Sequence, residues 1–273
     1  MEPASGETRL SPRSVTRAVL SRLVLSGERP RRAVALLLMA LAWEVAATLL
    51  RFPFLPPLSS VLAALWELTV EGEILRHLLP SLTSLLLGYA LAAGLGLALG
   101  ALLARHPLLD RVLDPYVSAM LAAPNLVFVP ILAALLGVGR PTQVAVIFLY
   151  AFFLVAATTA AAIRLADGAL VAMARSLGAS DRQLFWKIVV PSSAPMILGG
   201  LRIGLVRGVK GMIGGEMLVA MTGLGALART YGNRFDAERA LAILLVIMAV
   251  ALAGAGLIEA LEWRSGGWRS RRA

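Results

Sequence analysis

Six stretches of roughly 20 largely apolar residues punctuate this chain, the length an α-helix needs to cross about 30 Å of hydrocarbon. They run Ala33 to Leu50, Ser81 to Ala104, about Tyr116 to Val138, Gln143 to Ile163, about Ala194 to Met217, and Ala240 to Ala260. Lipid offers no water to a backbone N–H or C=O, so spans of this composition must be helices. The expected fold is all-α: a polytopic membrane protein of about six transmembrane helices. Of the 273 residues 59% are hydrophobic, and the spans leave only termini and connections, which excludes a plain soluble enzyme. The expected organisation is an Arg-rich segment over 1–32, one membrane domain over 33–263 with a long loop at 164–193, and a basic tail over 264–273.

The net charge of +10 would suit a nucleic-acid binder, but the basic residues are sparse and sit at the edges of the apolar runs. If both termini are cytoplasmic, 17 of the 26 basic residues fall on the cytoplasmic side, including Arg105, Arg164, Arg175, Arg182 and Lys187. Six fall outside, among them Arg76, Arg140 and Arg229, and three fall inside the fifth span. The positive-inside rule selects that topology. The first run is read as an uncleaved anchor rather than a signal peptide, because 32 residues precede it and five further spans follow. The leader is expected to be disordered or to lie on the anionic inner leaflet. No nucleic-acid partner is implied.

Zero cysteines exclude disulfides and thiol chemistry, and His77 and His106 are too far apart for a helix-borne metal pair. No metal or cofactor site is expected on this chain. The fifth span carries Arg202, Arg207, Lys210 and Glu216. Charges facing lipid at the bilayer centre cost at least ~2.5–3.5 kcal/mol each, so these four are candidates for a translocation path that favours anions. The competing reading has Arg202 snorkelling to headgroups and Lys210 paired to Glu216 or Glu44. Gly200, Gly204, Gly208, Gly211 and Gly215 fall within a sector of about 80° away from the cations, a face for close helix packing, as do Gly96 and Gly100 in the second span.

The long loop has its own pattern. Asp167 to Leu177 reads as a helix with Asp167 placed to cap it and Gly178 at its stop. A second helix starts from Ser180, with Asp181 in its first turn and Leu184, Phe185 and Ile188 on one face, and Pro191 and Pro195 punctuate the approach to the fifth span. This helix–turn–helix is expected to expose Leu184, Phe185 and Trp186, either as headgroup anchors or as a docking knob for a cytoplasmic partner.

The stretch Ala172-Met173-Ala174-Arg175-Ser176-Leu177-Gly178, nine further residues, then Ile188-Val189-Val190-Pro191 resembles the EAA loop of ABC-importer permease subunits, whose pattern is EAA, three residues, Gly, nine residues, I-x-L-P. Ala172 and Met173 depart from the family's Glu and Ala. The resemblance spans about residues 36 to 268 and points to the subgroup for aliphatic sulfonates, taurine and nitrate. Trp43-Glu44 and Leu55-Pro56-Pro57-Leu58-Ser59 resemble its W-E and L-P-x-P-S motifs. His77 to Leu82, Gly88, Gly94, Gly96, Gly100, Leu113-Asp114-Pro115 and Pro124 follow it. Gly200-Leu201-Arg202, Gly215-Glu216-Met217, Gly223-Leu224-Gly225 and Trp268 match later signatures. Thr158-Thr159 departs from the usual Asn-Thr and following Gly.

The resemblance implies a permease subunit of an ATP-driven importer, itself not an enzyme, which agrees with the absence of a G-x-x-x-x-G-K-[ST] phosphate loop. ATP and Mg would sit on separate ATPase subunits. The other implied partners are a second permease subunit in a two-fold pair, an extracytoplasmic solute-binding protein, and membrane lipid. The ATPase is expected to dock on Ala179, Ser180, Asp181, Leu184 and Phe185, with Gly178 setting the turn and Arg175, Ser176, Leu177, Ile188 and Pro191 completing the loop. The expected solute is small and anionic. A different small organic solute such as a vitamin precursor stays open, as do a secondary transporter, for which no internal repeat is visible, and an intramembrane hydrolase, for which no histidine lies well inside a span.

Overall fold

The computed structural model describes residues 28–266 apart from 51, 53 and 167, with side chains over 33–260. The N-terminal segment, the Asp167 cap, Trp268 and the tail beyond residue 266 lie outside the described residues. The chain divides into two compact units, Met1–Leu62 and Ala63–Ala273. Every regular element described is helical: α1 Glu28–Leu50, α2 Leu58–Val70, α3 Glu73–Arg105, α4 Pro107–Ala122, α5 Phe128–Leu136, α6 Arg140–Arg164, α7 Gly168–Ser176, α8 Asp181–Leu184, α9 Val190–Val219, α10 Leu224–Asn233 and α11 Ala237–Gly266. Five helical stretches are long and apolar enough to cross a membrane, or six if a bent pair is one span.

In the first unit, Trp43 Nε1 donates to Pro56 O at 3.1 Å, while Glu44 accepts from Ser59 Oγ at 2.7 Å and from Ser59 N at 3.1 Å. The W-E and L-P-x-P-S motifs are therefore two halves of one contact. Glu44 is spent on the first turn of α2, where helix N–H groups need an acceptor, and not on a membrane cation.

In the second unit α6 is the centre. Half of its most apolar window is buried, against 28% for α3 and 17% for α11. Two glycine faces clamp it. From α3, a Cβ on Gly88 would stand 2.8 Å from Ile147 Cβ, one on Gly96 3.0 Å from Val155, and one on Gly100 2.5 Å from Ala156 O. From α9, Gly200 meets Thr158, Gly204 meets Val155, Gly211 meets Tyr150 and Gly215 meets Val146. Small residues at four-residue spacing let helix backbones approach until their atoms interlock. The glycine face of the fifth span is thus used within the chain.

Two segments differ from the sequence reading. The third span is a helix pair, Pro107–Ala122 and Asn125–Leu136, bent by 85°. Pro124 has no N–H and pushes Ala123 out of the helical region, to φ −64° and ψ 142°, so the helix stops there and restarts in a new direction. At the fifth span, Pro191 and Pro195 do not separate loop from membrane helix, because the helix runs continuously over Asp181–Val219. A wide π-turn over Phe185–Val189 precedes Pro191, which sits in the first turn of α9 where a missing N–H matters little.

Tight packing at the glycines makes a test. Gly100→Ala should destabilise the protein by roughly 1–3 kcal/mol through overpacking. Gly94→Ala, on the same helix with nothing within 4 Å of its Cβ position, should be neutral or slightly stabilising in thermal unfolding in nanodiscs.

Candidate coupling loop and translocation path

The loop folds by strong local rules. α7 ends at a glycine turn in which Gly178, at φ +81°, donates to Arg175 O at 3.0 Å and Ala179 N donates to Ala174 O at 3.1 Å. These two bonds make a Schellman cap, and the left-handed backbone at Gly178 explains a glycine there. The next helix opens on a capping box: Gln183 N donates to Ser180 Oγ at 3.3 Å and Ser180 N donates to Gln183 Oε1 at 3.0 Å. Arg175 and Asp181 pair at 3.3 Å across the turn, both largely exposed, so their bond adds little stability. Ala179, Ser176 and Ile188 lie on the same helix–turn–helix, which leads through the π-turn to Pro191.

One docking residue is corrected. Leu184 is only 4% exposed, and Ala174 of the preceding helix is buried too, so Leu184 is not a knob. Helical spacing correctly put Leu184 and Phe185 on an apolar face, but that face turns inward. Phe185 lies under Arg105 at the end of α3, 4.5 Å from guanidinium to ring centroid, and makes an edge contact with Trp186. Trp186 is exposed as expected, at 61%, and the rest of the exposed apolar surface is Leu177 at 81% and Met173. Met173 and Arg105 join the loop residues that sequence reasoning missed; the basic end of the second span is the signal for Arg105. Beside them Arg164 bonds Asp110, so the ends of α3 and α6, with the adjoining α4, gather at this end of the bundle.

The four charges of the fifth span separate. Arg202 pairs with Glu259 of α11 at 3.1 Å. Glu216 is fully buried and does not line a path; it points about 120° away from Lys210 around the helix. Among the described residues no carboxylate pairs with Arg207 or Lys210. Lys210 lies on an exposed strip with Met196, Ile203 and Met217 at seven-residue intervals. Pairing of Lys210 to Glu216 or Glu44 is absent among the described residues.

Glu216 instead closes a clasp at the end of the bundle opposite the loop. It accepts from Ser81 Oγ at 2.7 Å and from Gly225 N at 2.8 Å, while Ser81 Oγ accepts from Leu224 N at 2.9 Å and His77 Nδ1 accepts from Gly223 N at 3.2 Å. A Cβ on Gly223 would fall 2.4 Å from the Glu216 carboxyl carbon. The motifs around His77, Glu216 and Gly223 thus meet as one structure joining α3, α9 and α10. Nearby, Arg229 donates to Met217 O at 2.8 Å and to Ala220 O at 3.0 Å, capping the end of α9. Tyr231 donates to Glu73 at 2.6 Å, and burial together with that carboxylate pushes its phenol up to about 12, so it remains a donor at any physiological pH.

This arrangement is similar to chains of solved transporters. It superposes on a chain from an inward-facing crystal structure of the MetNI methionine ABC transporter with TM-score 0.64 and 17% identity, covering 70% of this chain and 95% of that one. A chain of an amino acid ABC transporter gives TM-score 0.61 and 18% identity, covering 73% and 97%. The fold is that of these ABC transporter chains.

Residues 92–265 match the binding-protein-dependent transport system inner membrane component family, and the chain belongs to it. The taurine transport system permease protein TauC of Escherichia coli strain K12 is 31% identical over 237 residues, 85% of this chain and 86% of that protein. The riboflavin transport system permease protein RibX of Chloroflexus aurantiacus is 32% identical over 233 residues, 84% and 87%. The putative aliphatic sulfonates transport permease protein SsuC of Bacillus subtilis strain 168 is 27% identical over 216 residues, 79% and 78%. The protein is therefore a multi-pass inner-membrane permease subunit and not itself an enzyme, in agreement with the EAA-loop resemblance.

The clasp makes a stability prediction. Glu216→Ala leaves the Ser81 hydroxyl and the Gly225 amide buried without their acceptor, at about 1–3 kcal/mol each. Thermal unfolding in nanodiscs should show a clear drop for Glu216→Ala and none for Arg207→Met.

Proposed function

We propose that this chain forms the membrane path of an ATP-driven importer for a small anionic solute. Its two termini and the 164–193 loop face the cytoplasm, where a pair of ATPase subunits holding ATP and Mg docks against Leu177, Trp186 and Met173. A second permease subunit completes the path, and an extracytoplasmic binding protein delivers the solute. ATP-driven closure of the ATPase pair shifts the population between inward and outward openings, pulling on the loop and, through the continuous helix Asp181–Val219, on the fifth span.

The observation that supports the anionic reading is the pair Arg207 and Lys210. Both lie within an apolar span without a carboxylate partner among the described residues, and Lys210 is on an exposed strip. An unpaired cation at that depth is tolerable next to water or an anion and expensive against lipid. An aliphatic sulfonate permease among the relatives agrees with such a solute, and a taurine permease agrees with recognition of a sulfonate group. A second reading, a neutral vitamin-like solute, is favoured by the equal similarity to the riboflavin permease RibX and by the formylaminopyrimidine transport permease protein ThiX of Halalkalibacterium halodurans at 28% identity.

Uptake separates the two. In proteoliposomes holding the complete transporter, Lys210→Met should lower uptake of the solute carried by the binding protein at least about tenfold, a loss of some 1.4 kcal/mol. Unchanged uptake contradicts the anionic path and favours the neutral solute.

A further inference from the structure

At the end of α6 opposite the loop lies a cleft of about 260 Å³. Three elements build it: Pro80 of α3, the stretch from Val138 to Gln143 where α6 begins, and Met221 and Thr222 of the link that follows α9. Its polar groups are the Arg140 guanidinium, the Gln143 amide and the Thr222 hydroxyl, and among the described residues no acidic side chain lines it. Arg140 is exposed and has no ion pair among the described residues.

Gln143 is the independent observation. It is 5% exposed, and its Oε1 accepts from Ser84 Oγ at 2.8 Å, which fixes the orientation of the amide. Its Nε2 has no partner among the described residues, so a side chain held in the core keeps its two N–H donors for the cleft it lines. Gly139, at φ +139°, caps the start of α6, and the first-turn N–H groups and helix dipole add positive potential on the same side. A guanidinium, an amide, a hydroxyl and a helix N-terminus together form a set of donors with no competing carboxylate, the chemistry that recognises an oxyanion. Pro80, Val138 and Met221 supply apolar walls suited to a short alkyl group.

We infer that this cleft is a receiving site for a small oxyanion with an apolar tail, of the alkylsulfonate or alkylcarboxylate type, held by Arg140, Gln143 and Thr222. The inference deepens the anionic reading above and rests on its orientation, in which α6 runs about 37 Å from this cleft to the loop and the cleft faces the side of solute arrival. The site is about 16 Å along the α9 direction from Lys210, so a solute would meet Arg140 first and the cations of the fifth span afterwards. A lipid phosphate offers the same oxyanion chemistry, and the inference commits to the free solute because the walls and volume fit a short chain.

The test is saturation-transfer NMR on the methyl signal of methanesulfonate with the full chain in nanodiscs, beside the uncharged dimethyl sulfone. Wild-type protein should give transfer to methanesulfonate and little to dimethyl sulfone. Arg140→Met should weaken methanesulfonate binding at least about tenfold, while Arg140→Lys, which keeps the charge, should retain most of it. Because Arg140 is exposed, thermal unfolding of both variants should match wild type. The inference is overturned by absent transfer in wild type, by equal transfer to dimethyl sulfone, or by an Arg140→Met variant that binds as before. Transfer that disappears when zwitterionic lipid is replaced by anionic lipid assigns the cleft to headgroups and also overturns it. Loss of binding in Arg140→Met alongside uptake indifferent to Lys210→Met would leave the cleft standing without the anionic path, so the two readings fail separately.

Discussion

The clamping of α6 between two glycine faces is the contact on which the second unit depends. In a bilayer the surrounding lipid is as apolar as the helices, so association cannot draw on the hydrophobic effect and must come from close atomic packing and polar contacts. Gly88, Gly96 and Gly100 on one side and Gly200, Gly204, Gly211 and Gly215 on the other let α3 and α9 press their backbones onto Ile147, Val155, Ala156 and Tyr150. With those three helices fixed, both ends of the bundle follow. At one end Arg105 and Arg164 meet Phe185 and Asp110 around the helix–turn–helix, and at the other Glu216, Ser81 and His77 hold the turn at Gly223. Among the described residues of the second unit, Arg105, Arg164, Arg175 and Arg182 fall toward the end that bears the helix–turn–helix, and Arg76, Arg140 and Arg229 toward the other.

The two ends use different physics. The loop is held by local backbone rules, a Schellman cap and a capping box, which fold without help from the membrane and leave Leu177 and Trp186 exposed. The clasp is held by a buried carboxylate whose oxygens take donors from a hydroxyl and a backbone amide. A carboxylate in such a place is tolerated only because its donors surround it. The four charges of the fifth span thereby serve different ends. Arg202 ties the helix to α11, Glu216 ties it to α3 and α10, and Arg207 and Lys210 have no carboxylate partner among the described residues.

Much of this was legible in the sequence. Apolar run length located the five helices long enough to cross a membrane, glycine periodicity gave the packing face of α9, and Gly178 with Ser180 marked the turn of the loop. What was not legible is which neighbour a helical face meets. Periodicity grouped Leu184 with Phe185 but could not say that this face turns inward, and it could not separate Glu216 from Lys210 by partner. The bend at Pro124 was hidden because the apolar run continues through it, and the continuity of Asp181–Val219 was hidden because Pro191 in the first turn of α9 and Pro195 inside it look like prolines in a loop. The paired motifs were visible as strings, but only the fold brings Ser81 to Glu216, 135 positions away.

The central claim is that the end of the bundle bearing the helix–turn–helix is where an ATPase docks. The chain has no cysteine, so a single thiol can report on it without background. With Leu177→Cys in the assembled transporter, a short thiol-to-amine cross-linker should join this chain to the ATPase subunit, and Met221→Cys at the opposite end should not. A cross-link to the ATPase from position 221 and none from position 177 would contradict the account.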